Sequence, residues 1–335
     1  MNSLERPFVS VIIPAQNEEK YIGKCLESLV SQTYPKDRFE VLVIDGMSED
    51  GTLNVVRSFI GKINLRVLEN RKVKHVFALN QGIKEAKGDY FIVIGGHSFV
   101  EGDFIERSVD VFFRVKEKEP KLAAVGGSLE VVYENAFARL VSPLYSSPFS
   151  GGSSFWHSKN PHFVNTVVFG FYHKGIVEKV GCFDEDMVKG QDFELNLRLV
   201  MKGYKLFCSP EIKAYYYARS SFSRFLKQSF DNGVVKGLCI RKGYFNIVWL
   251  VPLAFVLYQL LLFAGFFVES FGLLVALFIP FVAYWIVNAL ASLELFRKKR
   301  GSLFSPFVFW ILHNITGIGF FAGVVLGKKA LGYKR

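Results

Sequence analysis

Four positions in this 335-residue chain carry side chains whose type and placement could do chemistry. Asp192 follows Gly190-Gln191 at the start of a helical pattern, where the helix dipole favours an ionised carboxylate, the state a proton acceptor requires. The same dipole also explains Asp192 as an ordinary first-turn residue. Asp45 closes the β-branched run Phe39–Ile44 (FEVLVI). There it could accept the imide N–H of a uracil- or guanine-type base, or equally cap an Asx turn over Asp45–Asp50. Glu18 stands at the head of another helical pattern, a second dipole-favoured carboxylate. His97 ends the sequence Gly95-Gly96-His97. Its imidazole could ligate a divalent metal, hydrogen-bond a phosphate, or do no more than terminate a strand.

These residues need elements to hold them. Phe8–Ile13 (FVSVII) reads as a buried first strand closed by Pro14, and Asn17–Ser31 as a helix with Tyr21, Ile22, Cys25, Leu26 and Leu29 on one face. Phe39–Ile44 is a second strand, Thr52–Ile60 a helix, Leu65–Leu68 a short strand, Val76–Ala86 a helix, and Tyr90–Ile94 another strand. Strands alternating with helices imply an α/β fold with a mostly parallel sheet, in which ligands bind beyond the strands' carboxyl ends. Pro14–Glu18, Asp45–Asp50 and Gly95–His97 all fall at such ends. Further on, Ala123–Val132 is strand-like around a Gly-Gly pair, and Ser146–Ser154 is a Gly/Ser loop. Val164–Phe171 resembles a strand and Gly190–Lys202 a helix. Gly190 permits the close turn before Asp192.

The end of the chain has a different composition. Half of all residues are hydrophobic and the mean hydropathy is +0.25, an excess concentrated after residue 245. The runs 247–268, 271–293 and 303–327 contain no Asp, Glu, Lys or Arg, and each is long enough for a helix to cross a bilayer core. The tail after residue 245 holds 8 basic residues against 2 acidic ones, over half of the chain's net +11. Positive charge beside apolar spans points to membrane lipids rather than nucleic acid. Before the first span, Phe222, Phe225, Leu226 and Phe230 share a helical face interleaved with Arg224, Lys227, Lys236, Arg241 and Lys242. That suits a helix in the membrane interface, the alternative being an amphipathic helix packed on protein. The expected organisation is therefore a main domain at 1–220, an interface segment at 221–245 and a membrane domain at 246–330. Cys25, Cys182, Cys208 and Cys239 form no C-x-x-C pair, which suggests neither a thiolate zinc site nor a disulfide pattern and fits a reduced main domain.

Six short motifs, in order, resemble glycosyltransferase family 2, a GT-A group of nucleotide-diphospho-sugar transferases. They are Ile13-Pro14-Ala15-Gln16-Asn17-Glu18-Glu19, Val43-Ile44-Asp45-Gly46, Ala78-Leu79-Asn80-Gln81-Gly82, Gly96-His97-Ser98, Ser146-Ser147-Pro148-Phe149 and Gln191-Asp192-Phe193-Glu194-Leu195-Asn196. Within the family the chain is most similar to the succinoglycan-biosynthesis branch, whose members work on lipid-linked saccharides. The resemblance implies an inverting hexosyltransferase of polysaccharide or glycan biosynthesis. It would use a nucleotide-diphosphate sugar donor and a hydroxyl of a polyprenyl-linked acceptor. It assigns Asp45 to the base, with Pro14, Ala15 and Glu18 as the facing wall. Gly96 joins the substrate-binding residues, His97 takes the metal position, and Asp192 becomes the catalytic base. Glu194 would orient the site or the acceptor, and Gln228, with Asp231-Asn232-Gly233, would touch the diphosphate. Arg219, Arg224 and Lys227 could instead serve a lipid headgroup or an acceptor phosphate. Related sequences carry Asp-Gly-His, so His97 is the expected metal position, and Gly95 replaces the usual first acid. Mn²⁺ suits an imidazole ligand better than Mg²⁺.

Two alternatives share these motifs. One transfers sugar to a polyprenyl phosphate itself, whose anionic oxygen needs little help from a base. The other binds nucleotide sugars without turnover, as the loss of the acid at Gly95 would allow. With the main domain cytoplasmic, Arg297-Lys298-Lys299-Arg300 lies inside as the positive-inside rule asks. A complete third span leaves Lys328, Lys329, Lys334 and Arg335 on the wrong side, so a bend at His313-Asn314 or Gly317–Gly319 is a second expectation. On the catalytic reading, Asp45, His97 and Asp192 must converge on one pocket.

Overall fold

The computed structural model describes residues 6–151, 159–218, 221–268, 271–298 and 300–332. Arg219, Lys299, Lys334, Arg335 and the end of the 146–154 loop lie outside them. The chain forms two compact units, Met1–Val132 with Ser154–Tyr217, and Tyr133–Ser153 with Ala218–Arg335.

The first unit begins with β1 (Val9–Ala15), α1 (Glu19–Val30), β2 (Phe39–Asp45), α2 (Thr52–Arg57), β3 (Leu65–Glu69), α3 (His75–Glu85), β4 (Tyr90–Val93), β5 (Ser98–Val100), α4 (Phe104–Lys116) and β6 (Leu122–Val132). The second unit then takes α5 (Ala136–Val141). The first resumes with β7 (His162–Val164), β8 (Phe171–His173), α6 (Lys174–Val180), α7 (Gln191–Met201) and β9 (Lys205–Tyr217). Its sheet runs β3-β2-β1-β4-β8-β6-β9-β5, with β7 also paired to β9. The β3-β2-β1-β4 half is parallel, whereas β8 is antiparallel to both its neighbours.

Every residue of β1 and β2 is buried, because helices cover both faces of the parallel half. Alternate side chains feed two cores. Val9, Val11, Ile13, Val41 and Val43 pack with Ile22, Leu26 and Phe112, while Ile12, Leu42 and Ile44 pack with Leu79, Ile83 and Leu195. The strand ends are thereby set in register, Ala15 opposite Asp45 and Ile12 opposite Val93. The stretch read as one strand over Val164–Phe171 is two short strands. Phe169 between them has a left-handed backbone (φ 46°), which breaks the pleat.

The second unit holds α8 (Phe222–Arg241), α9 (Val251–Gly265), α10 (Phe271–Arg297) and α11 (Ser305–Leu326). Among the described residues three stretches are long and apolar enough to cross a membrane: Ile247–Gly265, Phe271–Arg297 and Ser305–Leu331. No bend occurs at His313-Asn314 or Gly317–Gly319, for α11 is one continuous helix. Its glycines serve close packing instead. A Cβ on Gly317 would stand 2.3 Å from Pro252 O of α9, and one on Gly319 or Gly323 would stand 2.2 Å or 2.4 Å from Phe230 O or Val234 O of α8. Gly233 and Gly237 of α8 answer them, their Cβ positions 2.1 Å from Thr316 O and 2.6 Å from Phe320 O. Two small-xxx-small faces thus interlock backbone to backbone. Phe225 of α8 is buried with Val141, Leu144, Phe309 and Leu312, so part of its aromatic face packs on protein. His313, taken in the sequence as a bend, lies 3.1 Å from the Tyr284 hydroxyl and 2.9 Å from Phe149 O.

Candidate active site

The loops after β1 and β2 brace each other. Asn17 turns left-handed (φ 54°) and exchanges bonds with the facing loop, its N–H donating to Ser48 Oγ at 3.0 Å and its Oδ1 accepting from Glu49 N at 2.9 Å. Thr52 Oγ1 accepts from Glu18 N at 2.7 Å, and Glu19 Oε2 accepts from Gly51 N at 3.0 Å. Ala15 O accepts from Gly46 N at 2.8 Å, and Pro14 stands beside Ile44, both buried.

Within this frame Asp45 is 4% exposed and its two oxygens differ. Oδ2 accepts from Ser48 N at 3.1 Å, the turn-capping bond that the sequence allowed. Oδ1 is buried with no hydrogen-bond partner among the described residues. A buried acceptor left empty costs about 1–3 kcal/mol, and more when charged, so a ligand offering an N–H recovers what the fold forgoes. Turn capping and base recognition therefore do not compete for the same atom.

The loop after β4 meets the same wall. Glu18 Oε1 lies 2.9 Å from His97 Nδ1. A carboxylate only accepts, so Nδ1 carries the hydrogen, and Nε2 of a neutral ring keeps its lone pair. Orienting a histidine through a carboxylate in this way is how proteins present a metal-binding nitrogen. Gly96 is where it is because a Cβ there would come within 3.0 Å of Glu18 Cγ. Gly95 is not crowded, its nearest neighbours to an added Cβ being His97 Cε1 and Ser98 Oγ at 3.6 Å. Among the described residues no group of three His, Cys, Asp or Glu side chains could hold a metal. His97 offers one nitrogen, and a metal held there would need its other ligands from diphosphate oxygens and water, as divalent ions commonly take at nucleotide sites.

Asp192 is the second residue of α7, behind Gly190 with its left-handed φ of 64°. The Asp192 side chain is exposed to solvent, yet enough protein lies around it to desolvate the carboxyl. Burial pushes the carboxyl above the usual carboxylate range, and the N–H groups of Phe193 and of Asp192 itself offset this only in part. The dipole-lowered carboxyl expected from sequence is reversed, because desolvation outweighs the helix terminus. Its charge also reaches the buried Tyr172, whose hydroxyl donates to Asn196 Oδ1 at 2.9 Å. Glu194 and Asn196 of the same helix are fully buried. Glu194 accepts from Arg198 Nε at 2.9 Å and Nη2 at 2.7 Å, and Arg198 in turn donates to Val180 O and Cys182 O. These two residues fix the helix, and Asp192 faces out. Gln228 sits half-buried on α8, in the second unit.

Three residues given no role in the sequence, His75, Asn80 and Lys189, lie on α3 and the loop before α7. His75 opens α3 with its side chain exposed, and its imidazole is held down at about 4 by desolvation from the protein around it first and then by the nearby charges of Lys189 and His97. Asn80 joins α3 to the loop carrying Lys189, donating to Phe183 O at 2.9 Å and accepting from Phe183 N at 3.0 Å. Asn80 belongs to a quoted motif, so a signal existed without a role; His75 and Lys189 had none. Hydrogen bonds link Asp45 to Ser48, Ser48 to Asn17 and, one residue on, Glu18 to His97, so the loops after β1, β2 and β4 form one wall, while Asp192 stands at the start of α7.

The sequence profile of glycosyl transferase family 2 matches residues 10–180, the stretch that builds most of this frame. The chain belongs to glycosyl transferase family 2. As a family-2 chain it is 43% identical, over 96% of its length and 98% of the relative's, to the dolichyl N-acetyl-α-D-glucosaminyl phosphate 3-β-D-2,3-diacetamido-2,3-dideoxy-β-D-glucuronosyltransferase of Methanococcus voltae. Its identity to the succinoglycan biosynthesis protein ExoA of Rhizobium meliloti is 26%, over 67% of each chain. The family and GT-A fold read from sequence stand, while the archaeal dolichyl-linked transferase is the nearer of these two relatives. Among solved structures, the mannosyltransferase PcManGT of Pyrobaculum calidifontis, in complex with GDP-Man and Mn²⁺, superposes with a TM-score of 0.66 at 18% identity, over 97% of this chain and 89% of that one. That likeness shows the GT-A fold followed by long apolar helices.

Proposed function

We propose that this glycosyltransferase moves a uronic-acid sugar, with inversion, from a nucleoside diphosphate to a hydroxyl of an N-acetylglucosamine carried on a dolichyl or related polyprenyl phosphate. The reaction takes place at the cytoplasmic face of a membrane. The donor and acceptor classes are those named for the Methanococcus voltae relative, similar along nearly the whole chain. The cytoplasmic side is supported by Arg297 at the end of α10 and by Lys298 and Arg300 before α11.

The observation that carries the reaction type is Asp192, a carboxylate raised by burial yet open to solvent at a helix start. Asp45 Oδ1 receives an N–H of the base. The acceptor hydroxyl attacks the anomeric carbon, Asp192 takes its proton, and the bond to the diphosphate breaks with the electron pair leaving on the phosphate oxygen. A raised carboxyl suits this task, since a base with a pKa nearer the working pH is stronger without being protonated too readily. A divalent ion held by His97 Nε2 and the diphosphate would neutralise the leaving group's charge.

Asp192→Asn tests the reading. Labelled sugar transferred to extractable lipid acceptor should fall about 10²–10⁴-fold, the usual worth of a general base, while calorimetric binding of the nucleotide is unchanged. Full activity in that variant would point to an anionic phosphate acceptor, and parallel loss of nucleotide binding would remove Asp192 from the role of base.

A further inference from the structure

Polar and close backbone contacts fix the direction of α11 against each of its neighbours in the second unit. Along α9, Pro252 O stands 2.3 Å from where Gly317 would carry a Cβ, while Gln259 donates to Asn314 Oδ1 at 2.7 Å and accepts from Trp310 Nε1 at 2.9 Å. Along α10, the Tyr284 hydroxyl lies 3.1 Å from His313 Nδ1, and Asn288 Nδ2 donates to Pro306 O at 3.0 Å. So α11 runs antiparallel to both helices. Those two also oppose each other, with Gly265 against Leu277 and the Phe255 ring stacked 4.2 Å from that of Tyr284. Three rods along one axis cannot all be mutually antiparallel. One of them must lie across the other two.

Burial identifies it. Protein covers 11% of the apolar window of α9 and 6% of that of α10, so both need lipid around them, but it covers 44% in α11. Phe307, Trp310, Ile318, Phe321 and Val325 form one exposed stripe along α11, and Val308, Phe309, Leu312, Thr316 and Phe320 are buried behind it. α8 follows α11 in the same direction, from Ser229 O at Thr316 Oγ1 to Arg241, which donates to Val324 O and Val325 O at 3.0 Å and 3.2 Å. An upright α11 would draw α8 with it and take the Lys227–Asp231 ion pair into the hydrocarbon, where ionisable groups are costly. We infer that α11 does not cross the membrane but lies with α8 in the headgroup layer, its exposed stripe pressed into the acyl boundary, so that α9 and α10 alone span. Both ends of α11 then meet the same leaflet. Arg297, Lys298 and Arg300 before it and Lys328, Lys329, Lys334 and Arg335 after it share that side, and anionic lipid headgroups are the partner they fit. No basic cluster is left on the far side.

The test uses the full-length chain in sealed vesicles of phosphatidylcholine and phosphatidylglycerol, with the first unit facing out. A maleimide that cannot pass the bilayer reads single added cysteines, the wild type serving as blank because Cys25, Cys208 and Cys239 are buried. Lys329→Cys should label as fully as Lys62→Cys on the first unit, and Val268→Cys, between α9 and α10, only after detergent is added. Spin labels on Phe307→Cys, Ile318→Cys and Val325→Cys then report depth through their accessibility to oxygen and to a nickel chelate. An upright helix separates the first label from the last by about 27 Å, at about 1.5 Å for each residue. A lying helix keeps all three within about 10 Å. Labelling of Lys329→Cys only after detergent, or a depth spread nearer the upright figure than the lying one, overturns the inference. Neither readout depends on sugar transfer, so its outcome is separate from that of the proposed function.

Discussion

Replacing Asp45 by Asn exchanges one carboxylate oxygen for an amino group at nearly constant volume. The oxygen that accepts from Ser48 N at 3.1 Å holds its place as the amide oxygen, so the new NH₂ takes the position of the unpartnered Oδ1. A base offering its imide N–H then meets a donor where it needs an acceptor. Losing a hydrogen bond to a charged group is worth about 1.5–3 kcal/mol, or roughly 10–150-fold in Kd. With free nucleotide at about 100 times the wild-type Kd, ligand binding stabilises the wild type by about 2.7 kcal/mol. A variant weakened about 100-fold gains only about 0.4 kcal/mol under the same conditions. The assay is thermal unfolding of both proteins with and without the nucleoside diphosphate, alongside calorimetry. The variant should unfold cooperatively without ligand, because the turn to Ser48 persists, and should show almost no shift on adding it. A shift equal to that of the wild type would refute the assignment of Asp45 Oδ1 to the base.

Three further outcomes follow from the geometry. Because the base must be unprotonated and burial raises Asp192, kcat/KM should fall as pH drops through a value above the usual carboxylate range; a profile whose acid limb lies at an ordinary carboxylate pKa would contradict that environment. Gly95→Asp introduces a carboxylate where an added Cβ has 3.6 Å of clearance, and it should lower the Mn²⁺ concentration needed for half-maximal activity about tenfold or more. An unchanged metal response would separate residue 95 and His97 from any ion. Gly323→Leu drives a side chain into Val234 O, 2.4 Å from the Cβ position, and overpacking of this kind costs about 1–3 kcal/mol. Unfolding in detergent should therefore occur at lower temperature, and an unaltered transition would mean that the glycine seam is not in close contact.

The parallel half of the sheet was legible because β1 and β2 are covered on both faces, which leaves apolar runs, interrupted by the paired Ser10 and Glu40, that end at Pro14-Ala15 and Asp45. Asp192 was legible as a position but not as an environment. A helix start is written locally in Gly190-Gln191, whereas desolvation comes from residues distant in sequence. His75 and Lys189 escaped for the same reason, since α3 meets the loop before α7 through contacts far apart in sequence, such as the clamp between Asn80 and Phe183. Glycines in α8 and α11 look like weak points when each helix is read alone, and their value emerges only when the two faces are set against each other. Nor did composition mark residues 133–153 as part of the second unit, because nothing in Tyr133–Ser153 is as apolar as the spans it joins.

The interlocked glycines also order the events of synthesis. α8 leaves the ribosome before any of the long apolar helices, but the notched face it presents fits the last of them. Until Thr316–Val324 has been made, that face has no counterpart, and two intervening hydrophobic helices must be accommodated with α8 waiting. A chain interrupted before its final helix would therefore leave a groove of bare backbone near its middle, marking the product as unfinished.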